Sequence, residues 1–247
     1  MRLMAQESLK CDEKKFSYAE FIFDYSYSED EKLLDKLVDE GKQLATVVNP
    51  TLARDASRKR KYETILRNSV AGVIAEYCWR YWLRSQAKAL NIEATIESNI
   101  FESFDKHVDI TITYKDGTRR TIEVRSSFPY TGLQNAVCRA FDIIGWYVNP
   151  VKTKEIQKEY YLRTLYPFHS TELWGRLKSD SFSAFLTGGA TRHILKTGQY
   201  SLDKKFIPRD DIDAMLSFQS GVYRVVQPII NAFDTPKITE YILKGLQ

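Results

Sequence analysis

Apolar and polar residues alternate with a period of two through Asp105–Ser127, DKHVDITITYKDGTRRTIEVRSS, which predicts two strands joined by a tight turn. Val108, Ile110, Ile112 and Tyr114 share one side of the first strand, with Asp109, Thr111 and Thr113 on the other. Asp116-Gly117 is the turn signal that closes hairpins. On the return strand Ile122 and Val124 face one way, and Thr121, Glu123 and Arg125 the other. Asp109 and Glu123 thus fall on the polar sides of neighbouring strands, where they can meet.

Elsewhere the period lengthens. SEDEKLLDKLVDEGKQLA predicts a helix opened by a cap at Ser28 and acids in its first turn, with Leu33, Leu34, Leu37 and Val38 on one face. A second helix runs from about Tyr62 to Ala89, its stripe formed by Leu66, Val70, Val73, Ile74, Tyr77 and Tyr81. Gly72 and Ala75 would let this helix lie close to a sheet, with Glu76 at the edge of the stripe. IEATIESNIF reads as a strand before the hairpin, LQNAVCRAFDIIGWYV as a helix after it, and KEYYLRTLYPF as a further strand. FSYAEFIFDYSYS near the N-terminus reads as an irregular strand or arm. Toward the C-terminus, a short helix at 170–179 and a Gly188-Gly189 turn precede two closing helices. These are DDIDAMLSFQSGVYRVVQPIINAF and TPKITEYILKGL, the second capped by Thr235 with Pro236 at its first position. Residues 201–213 read as a hinge.

Two carboxylates held together are costly unless a cation separates them, and such oxygen-rich sites suit magnesium or manganese. The alternative for Asp109 and Glu123 is a solvated polar face on an antiparallel hairpin. The aspartate, the spacer and the acid-x-base triplet Glu123-Val124-Arg125 resemble the PD-(D/E)XK nuclease superfamily, in its D…ExK form. Arginine stands where that family usually has lysine, and Val108 where it usually has proline. The element order helix, three strands, helix, strand over residues 62–168 matches the family's αβββαβ core. The resemblance implies an α/β (α+β), restriction-endonuclease-like fold with a mixed central sheet flanked by helices. Residues 1–61 would be an N-terminal helical extension and 169–247 a C-terminal, mainly helical one packed on the core.

The resemblance further implies magnesium-dependent hydrolysis of DNA phosphodiesters, of the restriction or phage-defence kind. Mn2+ would serve in place of Mg2+. Asp109 and Glu123 would bind the metal, with the Val124 carbonyl and Glu76 as additional ligands. Arg125, too basic to take up a proton, would stabilise charge on the phosphate, and Ser126 or Ser127 would add a phosphate contact. The competing reading is a degenerate nuclease fold that binds nucleic acid or a partner protein.

Composition adds little to this. A net charge of +4 is a weak pointer to a polyanionic partner. Cys11, Cys78 and Cys138 are too widely spaced to suggest a disulfide framework or a zinc site, which favours a reducing, cytoplasmic setting. No apolar run approaches the ~18 residues of a membrane span. DNA is the expected partner, and a homodimer is compatible with the chain. The densest basic run, Arg58-Lys59-Arg60-Lys61, is either a solvated face or a set of phosphate contacts. If it contacts phosphates, replacing all four residues by alanine should weaken DNA binding irrespective of sequence and reduce the salt-dependence slope by several units. An unchanged slope would assign the run to solvent.

Overall fold

The computed structural model describes residues 2–48, 61–98, 108–149, 156–179, 181–205 and 222–246. Its frame is a seven-stranded mixed sheet in the order β1-β2-β8-β7-β5-β4-β3. The strands are β1 (Arg2–Cys11), β2 (Lys14–Phe23), β3 (Ala94–Ser98), β4 (Ile110–Tyr114), β5 (Arg119–Ser127), β7 (Tyr160–Leu165) and β8 (Phe182–Thr191). Every neighbouring pair is antiparallel except β5 with β7. A parallel pair needs a crossover, and residues 128–159 provide it. A second, three-stranded sheet has the order β6-β10-β9, formed by Ile143–Asn149, Val222–Val226 and Ser201–Lys205.

The sheet separates two apolar cores. One face carries Ile110, Ile112, Ile122, Val124, Tyr160 and Leu162, packed with Val70, Ile74, Trp79 and Leu83 of α2 (Tyr62–Ala89) and Ile238 and Ile242 of α6 (Thr235–Leu243). The opposite face carries Tyr161 and Leu165, packed with Val137, Ile143, Trp146, Leu195 and Val226. β7 is buried at all its positions, as a strand covered on both faces must be. α1 (Ser28–Val47) crosses α2 closely at Gly41, where a Cβ would come within 2.6 Å of Val70.

Both long helices and the central hairpin lie where periodicity puts them. Several other segments differ. The N-terminal extension is only partly helical: residues 2–23 form a hairpin whose second strand joins the main sheet through β8. The expected helix after the hairpin lasts through α3 (Leu133–Asn135) and a π-helical turn (Ala136–Ala140), then gives way to β6. The β-branched and aromatic run IIGWYV pairs with β10, and Gly145 admits the Arg224 carbonyl, which a Cβ would meet at 2.8 Å. The C-terminal part is mixed and not mainly helical: β8, β9 and β10 join the short helices α4 (Leu173–Arg176) and α5 (Arg192–Thr197) and the terminal α6. Of the first expected closing helix, residues 222–226 are a strand and 210–221 lie outside the described residues. The hinge expected at 201–213 begins instead as β9, and its remainder also lies outside them.

Smaller differences concern caps, glycines and cysteines. Tyr27 is the N-cap position of α1, without a side-chain cap bond. Asp234, not Thr235, caps α6 by accepting the Lys237 amide, while Thr235 donates to the Leu186 carbonyl and accepts the Gly188 amide. A Cβ at Gly72 would meet nothing, so that glycine does not mediate close packing. Tyr81, expected in the buried stripe, is 41% exposed. Cys11 and Cys138 are disulfide-bonded with Cα atoms 5.4 Å apart. Their sequence separation of 127 hides a pairing that β1 creates by running beside the turn after the hairpin.

Gly188-Gly189 lies inside β8, not in a turn. Gly188 has φ +77, and a Cβ there would sit 2.1 Å from the Phe233 carbonyl oxygen. Gly188→Ala should therefore lower stability by about 2–5 kcal/mol through backbone strain and overpacking. Gly72→Ala has open space in a helix interior and should raise it by about 0.5–1 kcal/mol. Urea denaturation midpoints at unchanged slope check both.

Candidate active site

The β4–β5 ladder pairs Ile110 with Ile122, Thr111 with Thr121 and Ile112 with Arg120. Continued by one residue, this register sets Asp109 opposite Glu123. The ladder stops there because the Asp109 side chain takes over: its Oδ2 accepts the Val124 amide at 2.6 Å. Asp109 is thus tied to the middle residue of the Glu123-Val124-Arg125 triplet, and it is buried. In an extended strand the N–H and C=O of one residue point to the same neighbour, so the Val124 carbonyl is directed toward the edge that Asp109 occupies.

Glu123 and Arg125 leave β5 on the face opposite α2, toward the small sheet. Arg125 Nη2 lies 3.5 Å from Glu123 Oε1, and both side chains are largely covered. The Arg125 guanidinium lies 5.4 Å from the ring centre of Tyr147 on β6 and 5.9 Å from that of Tyr223 on β10. A planar, weakly hydrated cation stacks on aromatic rings better than an ammonium does. This gives a physical reason for arginine in the position where lysine was expected.

Neighbouring Arg125 in the parallel β5–β7 register is Arg163. Arg163 is 2% exposed, its Nη2 donates to Ser127 Oγ at 2.7 Å, and its guanidinium faces the Phe141 ring. Burial pushes its pKa down to about 10, with Arg125 adding to that effect and Asp142 opposing it. Asp142, itself buried, is held by Lys204 Nζ at 2.8 Å. Sequence reading passed over this group. The available signal was a lone charge within the apolar strand YYLRTLY.

Other expected site residues are placed differently. Glu76 is buried on α2, 3.6 Å from Arg80, against the sheet face that Glu123 does not share. Ser126 pairs with Thr164 and, by alternation, faces α2, whereas Ser127 faces Arg163. Lys61 is exposed at the N-cap position of α2, while Arg58, Lys59 and Arg60 lie outside the described residues. A cleft of about 180 Å³ lies beyond Thr121, lined by Glu159, Arg192, His193 and Lys196.

Magnesium accepts one or two carboxylates with other oxygen donors. By donor chemistry, Asp109 and Glu123 with the Val124 carbonyl fit that requirement. Glu76 does not complete the set, and among the described residues no group of three or more His, Cys, Asp or Glu side chains could hold a metal ion.

The fold and this pair of strands define a mixed α/β protein with a charged site between its two sheets. The chain belongs to the family of Uncharacterized protein MJECS01 from Methanocaldococcus jannaschii, with which it shares 30% identity over 239 residues, covering 88% of this chain and 84% of that protein. No protein-family model and no solved structure matches it.

Because Asp109 holds a buried amide, its replacements should separate folding from chemistry. Asp109→Ala should cost about 1–3 kcal/mol by leaving the Val124 N–H unsatisfied, whereas Asp109→Asn keeps an acceptor and should cost less. Chemical denaturation of the two variants checks the difference.

Proposed function

We propose that this chain is a metal-dependent endonuclease of the PD-(D/E)XK superfamily, hydrolysing DNA phosphodiesters in a restriction or phage-defence role. The observation that carries the reading is the Asp109 carboxylate bound at the Val124 amide, between Glu123 and Arg125. The setting supports it as well. The antiparallel β3-β4-β5 meander follows α2, and β5 is joined in parallel to β7 across a crossover. That arrangement supports the restriction-endonuclease-like core that the resemblance implies.

In this reading Asp109 and Glu123 hold Mg2+, with Mn2+ as a substitute. Bound there, the ion supplies Lewis acidity toward the phosphate and lowers the pKa of the attacking water. Arg125 stabilises negative charge on the phosphate as a donor and does not accept a proton, since guanidinium stays protonated. Tyr147 and Tyr223 hold the guanidinium plane in position, so less conformational freedom is lost when it meets the phosphate.

A second reading, a degenerate fold that binds nucleic acid without cutting it, draws support from the same residue. Arg125 is engaged by Glu123 and by two tyrosines, as a structural arginine would be.

Incubation of the purified protein with mixed plasmid and phage DNA, with magnesium and with chelator, separates the two. The nuclease should cut only with the metal. Glu123→Gln should abolish cutting, and Arg125→Ala should raise the barrier by about 2.7–4 kcal/mol, the scale of one lost transition-state donor. Metal-independent DNA binding with no cleavage under any of these conditions would favour the binding module.

A further inference from the structure

We propose that Arg163 and Arg125 together form a preformed anion site for a phosphate group, with Arg163 as its buried floor and Arg125 as its outer wall. The proposal deepens the nuclease reading by naming a second phosphate-holding residue, but the site would bind phosphate whether or not the protein cuts DNA.

The two guanidinium groups spring from register partners on adjacent parallel strands, whose spacing is about 4.8 Å. Arg125 lies near enough to Arg163 to disfavour its charge, and an anion between two such cations on a covered face relieves their repulsion. Among the described residues this face holds the cations Arg125, Arg163 and Lys204 and the carboxylates Asp109, Glu123 and Asp142; Asp109 is bound at the Val124 amide and Glu123 lies against Arg125, which leaves Arg163 without a hydrogen-bonded carboxylate. Asp142 is already taken by Lys204.

Arg163 is also under-used as a donor. Its Nη2 reaches Ser127 Oγ, yet its buried Nε makes no hydrogen bond among the described residues. A buried N–H without an acceptor is costly, and an apolar side chain of similar volume would avoid both that cost and the burial of the charge. Retaining arginine here fits a ligand that accepts in the plane of the guanidinium fork, as a phosphate does. Entry would be from the Glu123–Arg125 side, where the side chains are 17% and 16% exposed.

Inorganic phosphate is the probe. Thermal unfolding of the full chain is followed with increasing phosphate against chloride at matched ionic strength, without DNA or divalent metal. Wild type should gain thermal stability with phosphate beyond the chloride control. Arg163→Met should fold with an undiminished melting temperature in chloride and lose that gain. Arg163→Lys, which keeps the charge but not the fork, should need at least about tenfold more phosphate for the same gain. Ser127→Ala, which frees Arg163 Nη2 with little change in volume, should weaken the response in the same direction. Lys196→Ala, in the cleft beyond Thr121, should leave it intact.

A phosphate response that survives Arg163→Met, or disappears with Lys196→Ala, overturns the proposal, as does a wild type with no response. A lower melting temperature of Arg163→Met in chloride, with a normal phosphate response in Arg163→Lys and Ser127→Ala, would make Arg163 structural only. Cleavage assays on the same variants distinguish the two readings. Metal-dependent DNA cutting by a wild type that shows no phosphate response leaves the nuclease standing while the anion site falls, and a phosphate response lost in Arg163→Met in a protein that never cuts does the reverse.

Discussion

The parallel pairing of β5 with β7 is the constraint on which the rest of the molecule depends. A strand buried on both faces must place every side chain in one core or the other, and β7 does so: Tyr160 and Leu162 go to the α2 side, Tyr161 and Leu165 to the small-sheet side. The same alternation sends Val124 to one core and Glu123 and Arg125 away from it. The pairing also demands a crossover, and the crossover delivers β6 with Tyr147 and the turn with Phe141 to the charged face. One backbone register thus brings the Glu123–Arg125 pair, the Arg163 guanidinium and the aromatic rings to the same place.

That place is polar where a core would ordinarily be apolar. Charges are tolerated between sheets only when each meets an opposite charge, a hydrogen-bond partner or an aromatic face. Asp142 has Lys204, Glu123 has Arg125, and the two arginines lie against Phe141, Tyr147 and Tyr223. An apolar filling of this space would be simpler and often at least as stable. On the proposed reading the retained charges serve a ligand, and the Asp109–Val124 bond brings a further carboxylate to the edge of this face.

The hairpin strands, the two long helices and the nearness of Asp109 to the Glu123-Val124-Arg125 triplet were legible in the amino-acid sequence because each depends on short-range regularity. Alternation with a Asp-Gly turn fixes the register of a hairpin, and a 3.6-residue period fixes a helix face. β5 and α2 have the bounds that their sequence patterns mark. The identity of residue 125 was legible too, but the reason for an arginine there was not, since Tyr147 and Tyr223 come from strands far along the chain.

Tertiary structure decided what depends on distant partners. Ile143–Asn149 carries a pattern compatible with a helix or a strand, and the presence of β10 beside it made it a strand. Gly188-Gly189 has the composition of a turn, yet the Phe233 backbone lying against it requires the missing side chains within a strand. Glu76 stands on the predicted helix, but the face on which that helix packs determines that it pairs with Arg80 and lies away from Glu123. Cys11 and Cys138 are bonded because β1 runs beside the turn that carries Cys138, a proximity that spacing cannot encode. Local periodicity specifies which way a side chain points from its own element; only the packing of elements specifies what it points at.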